Sequence, residues 1–277
     1  MSYLVFLYAS GWAFFVGAAM IVVAAFMRPC RSRGAKALLL FGFLVFVAPS
    51  STPLPWLQYA VILVLIGWWW MGRHQVWARR VLIAAWTATA GFEALHHITP
   101  AIRTGSYSPL RIAVIGDSLT SGLSETKAVR WPHLLSKRPG VEFVRDFAVE
   151  GATCRKAMAQ AEKIPDGVDL VIVAIGGNDV LGQTSLEEFE RDYESLLNKT
   201  RDSVRTLIGI ELPLPPFHNA WGLAQRKIAR KHGMTLIPKW RLMWILANPK
   251  NTVDSIHPTQ SGQDALASLV VVVLGVD

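Results

Sequence analysis

Cysteine is nearly missing from this chain. Cys30 and Cys154 fall in different halves, one in a basic loop and one just after Gly151. That separation predicts no disulfide, so cysteine usage leaves the redox compartment open. Phe-Met-Arg-Pro precedes Cys30 where a lipid-attachment signal would need small residues, so Cys30 reads as an inert thiol. Metal-binding patterns are also lacking: there is no His-Glu-x-x-His and no paired-cysteine spacing. No Gly-x-x-x-x-Gly-Lys phosphate loop is present either, and no cofactor or metal is expected. Acidic residues are scarce through residue 105, where Glu93 alone faces eight Lys/Arg, a net +7. The remainder is nearly balanced, 20 basic against 19 acidic. The whole-chain charge of +8 therefore carries no implication of nucleic-acid binding. It reports basic loops between apolar runs, a membrane signature.

Tyr3–Met27 runs 25 residues without a charge, enough to cross a hydrocarbon core of about 30 Å. Its start lacks the Lys/Arg of a signal peptide, so it reads as a retained anchor. Shorter apolar runs follow at Ala37–Ala48 and Trp56–Met71, the latter ending in Trp68-Trp69-Trp70 beside Arg73 and His74, as at a headgroup layer. Val81–Ile98 is a fourth run, with Glu93, His96 and His97 at its far end. Three to four spans are expected within residues 1–100, the middle two short enough to dip as a hairpin. Residues 28–36 and 73–80 hold seven of the eight basic residues, which places both loops in the cytoplasm. If the fourth run spans, the second half is extracytoplasmic; if it lies flat, that half is cytosolic. Spanning is favoured, giving an integral protein of a bacterial inner membrane with the lipid bilayer as a partner. Residues 101–109 read as a linker and 110–277 as a folded domain. The oligomeric state is not readable.

After the linker, strand and helix signals alternate. Strands are expected at Leu110–Ile115, Val141–Phe147, Leu170–Ile175, Thr206–Glu211 and Thr235–Pro238. Helices are expected at Pro132–Lys137, Ala152–Glu162, Leu186–Asn198, Trp221–His232 and Thr259–Val276. This alternation predicts an α/β fold, a five-stranded parallel sheet between two helical layers, with ligands at the carboxyl ends of the strands. Ser118, Gly151 and Asn178 each follow a strand, so all three converge on that edge.

Four short blocks carry the chemistry. Gly116-Asp117-Ser118-Leu119-Thr120 puts a hydroxyl in the turn after the first strand; alone, Gly-Asp-Ser is as often an ordinary turn or helix cap. Asp254-Ser255-Ile256-His257-Pro258 supplies a base, His257, and a carboxylate, Asp254, three residues back that can hold its Nδ1–H. Pro258 disfavours helix through His257 and so favours a loop. Gly151 offers a backbone N–H with no side chain to block it. Asn178, in Gly176-Gly177-Asn178-Asp179, offers a side-chain amide, and Asp179 reads as an organiser of its own turn. The backbone N–H of Ser118 with Gly151 and Asn178 would form an oxyanion hole. The other six histidines read as interfacial or surface residues.

These blocks resemble the SGNH, or GDSL, hydrolase family, closest to its thioesterase, lysophospholipase and arylesterase branch. The likeness covers about residues 110–277. It implies a flavodoxin-like three-layer domain, Ser118 as nucleophile, Gly151 and Asn178 as oxyanion donors, and Asp254 and His257 as the acid–base pair. Gly116-Asp117-Ser118-Leu119-Thr120-Ser121-Gly122-Leu123 and the Trp131-Pro132 helix entry add to it. The chain departs at Phe147-Ala148-Val149-Glu150, where relatives often carry Asn before the glycine. The apolar first hundred residues are outside the family's common domain.

The expectation is a membrane-anchored serine ester hydrolase working through an acyl-serine, on lipid or lipid-linked acyl esters or thioesters. Two alternatives stay open: an acyltransferase or O-acetylesterase acting on cell-envelope glycans, and a non-catalytic membrane-tethered binding module. Leu212-Pro213-Leu214-Pro215-Pro216-Phe217 follows the fourth strand; it would serve equally as an acyl-pocket wall or as a rigid surface connection.

Overall fold

The computed structural model describes residues 3–27, 33–52, 54, 59–61, 63–64, 66–67, 75–102, 109–123, 127–201 and 204–276. Cys30, Trp68-Trp69-Trp70, Arg73, His74 and most of the third apolar run lie outside them. The chain divides into two compact units, one of Met1–Phe6, Thr99–Pro213 and Ala224–Asp277, the other of Leu7–Ile98 and Leu214–Leu223.

The second unit is helical: α1 (Tyr3–Ala9), of which only Leu7–Ala9 belong to this unit, leads into α2 (Trp12–Phe26), then α3 (Arg33–Phe41) continuing as π turns over Gly42–Val47, and α4 (Gln75–Leu95). The first apolar run is not one straight span. It bends by 88° between α1 and α2, where Gly11 takes a left-handed φ of 85°. No single helix among the described residues is long and apolar enough to cross a membrane; the bent pair reaches that length only together. Phe14, Ile21, Leu39, Phe43, Val47, Leu82 and Trp86 form the unit's core, and the Trp86 indole donates to the Ala18 carbonyl at 3.0 Å. Val16, Val23, Phe26, Leu40, Phe41 and Leu44 stay exposed. His97, expected as an interfacial or surface residue, lies edge-on to Phe15 at 4.9 Å. Leu214–Leu223 joins this unit, with the Phe217 N–H donating to Pro49 O at 3.2 Å and the Asn219 amide to Leu54 O at 3.2 Å.

The first unit carries the sheet. Strands β1 (Leu110–Gly116), β2 (Val141–Asp146), β3 (Leu170–Ala174), β4 (Thr206–Ile210) and β5 (Thr235–Ile237) lie in the order β2-β1-β3-β4-β5. Every neighbouring pair is parallel. The two central strands are apolar runs because helices cover both of their faces. Leu110, Ile112, Val114, Leu170, Ile172 and Ile208 turn to one face, under α6 (Trp131–Leu135), α11 (Lys239–Ala247) and α12 (Gln260–Leu274). Their alternates point the other way, towards α7 (Cys154–Ala161) and α9 (Leu186–Arg201), which pack on each other. The remaining helices are α5 (Ser118–Ser121), α8 (Gly177–Leu181) and, from Ala224 onward, α10 (Asn219–Lys231). This is the expected three-layer α/β arrangement. Its order changes direction between β1 and β3, where a doubly wound sheet opens a crevice. Ser118 follows β1 and Asn178 follows β3, so both stand at that crevice.

Candidate active site

The turn leaving β1 is built by close approach. A methyl on Gly116 would come within 2.6 Å of Thr120 Oγ1, so only glycine lets the turn fold back on the strand. Asp117 caps the short helix behind it, its carboxylate accepting the Leu119 N–H at 3.0 Å. Ser118 then opens α5, 8 % exposed. Asp117 is buried; burial pushes its carboxyl up to about 6, against the opposing pull of the Leu119 N–H and His257.

The last block comes from a loop closed by an antiparallel bridge between Thr252 and Pro258. The Val253 N–H donates to His257 O at 2.9 Å. Ser255 sits at the tip with φ 75°, and this turn lets the Asp254 carboxylate accept the N–H groups of Ile256 at 3.1 Å and His257 at 2.8 Å. Its other oxygen lies 2.6 Å from His257 Nδ1. The His257 backbone N–H, then its ring, then the Ile256 N–H hold the Asp254 carboxyl down at about 2. Ionised Asp254 therefore requires the proton on Nδ1, leaving the Nε2 lone pair to face Ser118. Ser118 Oγ stands 3.1 Å from that nitrogen.

The two other loops are joined to each other. The Asn178 amide donates to Ala152 O at 2.9 Å, directly after Gly151, and an amide nitrogen keeps a second hydrogen for another acceptor. Asp179 does more than organise its own turn: its buried carboxylate accepts the Cys154 N–H at 2.9 Å, 25 residues away. Val149 N–H donates to Gly116 O at 3.1 Å, bringing the Gly151 loop against the β1 exit. Gly151 has φ 68°, and a Cβ there would meet nothing within 4 Å. Left-handed backbone, not crowding, is what calls for glycine at this position. Neither the Ser118 nor the Gly151 N–H has an acceptor among the described residues.

A cavity of about 40 Å³ is walled by Asp117, Leu119, Trp131, Ile210, Leu212 and Pro213; Ser118 itself does not line it. The start of the proline-rich loop thus lies inside this unit. Cys154 is buried, and burial first, then Asp179, pushes its thiol well above the ordinary value. Two features escape sequence reasoning: the burial of Asp117, and Gln160, whose side chain grips the backbone of Gly116. The signal for Gln160 was a polar residue on the face of α7 that also buries Ala157 and Ala161.

A hydroxyl, an imidazole and a carboxylate in hydrogen-bonded series at the open edge of a doubly wound sheet are the parts of an ester hydrolase. The chain belongs to the GDSL-like Lipase/Acylhydrolase family, whose model matches residues 114–265, and is a carboxylic ester hydrolase. It is 23% identical over 164 residues to thioesterase 1/protease 1/lysophospholipase L1 of Escherichia coli, covering 56% of this chain and 79% of that one. It is 22% identical over 182 residues to the arylesterase of Vibrio mimicus, covering 61% and 90%. Among solved structures, TesA superposes with a TM-score of 0.50 at 23% identity, covering 58% of this chain and 95% of that one. The acetylxylan esterase Axe2 of Geobacillus stearothermophilus gives 0.50 at 20%, covering 61% and 96%. At these identities the superpositions speak for the fold alone.

Proposed function

We propose that Ser118, His257 and Asp254 are the catalytic triad of a serine ester hydrolase working through an acyl-serine. The observation that carries this reading is the single relay from Ser118 Oγ through His257 to Asp254, at 3.1 and 2.6 Å. His257 Nε2 takes the Ser118 proton as Oγ attacks the acyl carbon, and Asp254 stabilises the resulting imidazolium. The N–H groups of Ser118 and Gly151 and the free hydrogen of the Asn178 amide receive the oxyanion. His257 then protonates the leaving alcohol or thiol. Water, deprotonated by the same imidazole, releases the acid.

The substrates are lipid or lipid-linked acyl esters or thioesters. Support comes from the apolar cavity beside Asp117 and from relatives named as thioesterase, lysophospholipase and arylesterase. Residues 1–100 anchor the chain in a bacterial inner membrane, 101–109 link, and 110–277 form the hydrolase domain on the extracytoplasmic side. The charge-free first 27 residues and the exposed apolar side chains of α2 and α3 support the anchor, and the basic loops support the orientation.

Fluorophosphonate labelling of the full chain tests the triad: Ser118→Ala abolishes labelling and ester hydrolysis without loss of fold. Undiminished labelling removes Ser118 from the mechanism. A reporter fused after Asp277 tests the orientation, and cytosolic reporter activity contradicts it.

A further inference from the structure

β1 outlasts its neighbour. β2 pairs with it only as far as Val114 opposite Asp146, whereas β1 runs on to Gly116, paired on the other side with Ala174. On the β2 side the Gly116 N–H therefore has no strand to meet and its C=O meets only the Val149 N–H of the following loop, and a buried group left unpaired is costly. Gln160 on α7, 44 residues along the chain, stands in for the missing strand. Its Oε1 accepts the Gly116 N–H and its Nε2 donates to Gly116 O, both at 3.0 Å. Gln160 is 3 % exposed.

We propose that Gln160 is a positioning residue for Ser118. It fixes both peptides that flank Gly116, two residues before the hydroxyl, and the turn has no slack to absorb a shift. Thr120 lies so close over Gly116 that a Cβ there would meet it at 2.6 and 2.8 Å. The Gly116 carbonyl also accepts the Val149 N–H at 3.1 Å, so the same grip holds the loop that carries Gly151. A rotation of either peptide moves Oγ out of line with His257 Nε2, 3.1 Å away. The inference rests on Ser118 being the nucleophile.

The test uses Gln160→Met, which keeps the side chain's length and loses both bonds, and Gln160→Glu. With the full chain, Gln160→Met lowers kcat and the rate of fluorophosphonate labelling about tenfold while KM stays within about twofold, because alignment and not binding is lost. In Gln160→Glu one oxygen still accepts the Gly116 N–H, but an ionised second oxygen opposes the Gly116 carbonyl. Protonation restores a donor there, so this variant's labelling rate relative to the unmodified chain rises as pH is lowered. Gln225→Met is the control. Gln225 makes the same pair of bonds, accepting the Leu212 N–H at 2.9 Å and donating to Ile210 O at 3.0 Å, at the exit of β4. Its loss lowers Tm comparably and leaves the labelling rate within about twofold.

A fall in Tm for Gln160→Met with kcat unchanged reduces Gln160 to a structural clamp and overturns the proposal. Should Gln160→Met fail to fold, the pH profile of Gln160→Glu decides, and a flat ratio overturns it. Ser118-dependent labelling at the unmodified rate in both variants sinks the positioning role alone. Labelling that never depended on Ser118 sinks the triad, and the positioning role with it.

Discussion

Asp254 holds His257 at two points. One carboxylate oxygen lies 2.6 Å from Nδ1 and the other accepts the backbone N–H at 2.8 Å. The imidazole is thus fixed in both tautomer and position by one side chain three residues away. Asp254→Asn keeps the size but places an amide donor against Nδ1–H, which favours the wrong tautomer. We expect kcat to fall by about 10²–10⁴-fold with KM little changed. Steady-state hydrolysis of a soluble ester checks this; a loss under threefold would mean the carboxylate is not needed. The stability linkage has a definite sign. The carboxyl is held at about 2 against an ordinary 3.8, so its contribution is present above pH 4 and is lost as pH falls through about 2. Melting curves of the two proteins should converge below that pH and separate above pH 4.

Asp117 shows the opposite linkage. Its carboxyl is raised from 3.8 to about 6, chiefly by burial, so the unfolded chain ionises first as pH rises. Stability from the neutral form is full below pH 4 and is lost as pH passes about 6. Asp117→Asn keeps an oxygen for the Leu119 N–H without the ionisation. Its stability relative to the unmodified chain should therefore climb between pH 4 and 6 and then level off, by about 3 kcal/mol at most. Denaturant melts at several pH values measure this, and a difference constant across that range would refute it.

Much of this was legible from the residues alone. β1 and β3 are covered on both faces, so apart from Arg111, which pairs with Asp169, they are apolar throughout, and each ends at or just before a glycine. Ser118, Gly151 and Asn178 could be grouped because strand exits in a parallel sheet gather at one edge, whereas Asp254 and His257 were read from their own spacing. Other features were not. α11, Lys-Trp-Arg-Leu-Met-Trp-Ile-Leu-Ala, lacks a clean polar face, and its exposed Trp244 breaks the periodic signal. The bend at Ser10-Gly11 was hidden because apolar composition constrains burial, not backbone direction. Gln160 acts on a residue 44 positions away, a pairing that exists only once α7 has docked beside β1.

Asn178 carries two duties on one amide. One hydrogen goes to Ala152 O at 2.9 Å, which orients the group; in the proposed mechanism the other receives the oxyanion. Asn178→Ala should lower kcat by about 10²–10³-fold with a smaller effect on KM, since the second bond tightens mainly in the transition state. Stability should fall by about 1 kcal/mol through the lost tie to Ala152. A large KM increase at unchanged kcat would make Asn178 a ground-state binder.

Two glycines near the site should respond differently to the same methyl group. At Gly151 a Cβ meets nothing within 4 Å, and the obstacle is φ 68°. Gly151→Ala should therefore fold at a cost of about 1–2 kcal/mol, and Gly151→Asn, whose side chain tolerates left-handed backbone, should recover part of that. At Gly262 the backbone is ordinary, but a Cβ would overlap the Asn251 carbonyl and approach Pro258 at 2.8 Å. Asn251 O also accepts the Thr259 N–H at 2.9 Å, closing the base of the loop that carries Asp254 and His257. Gly262→Ala must push this loop outward. Its predicted effect is a large fall in labelling rate together with a Tm loss that Gly262→Asn does not recover, because space and not φ is lacking. Thermal melts of the four variants decide it: rescue by asparagine at 262, or none at 151, would mean the two causes have been assigned to the wrong glycines.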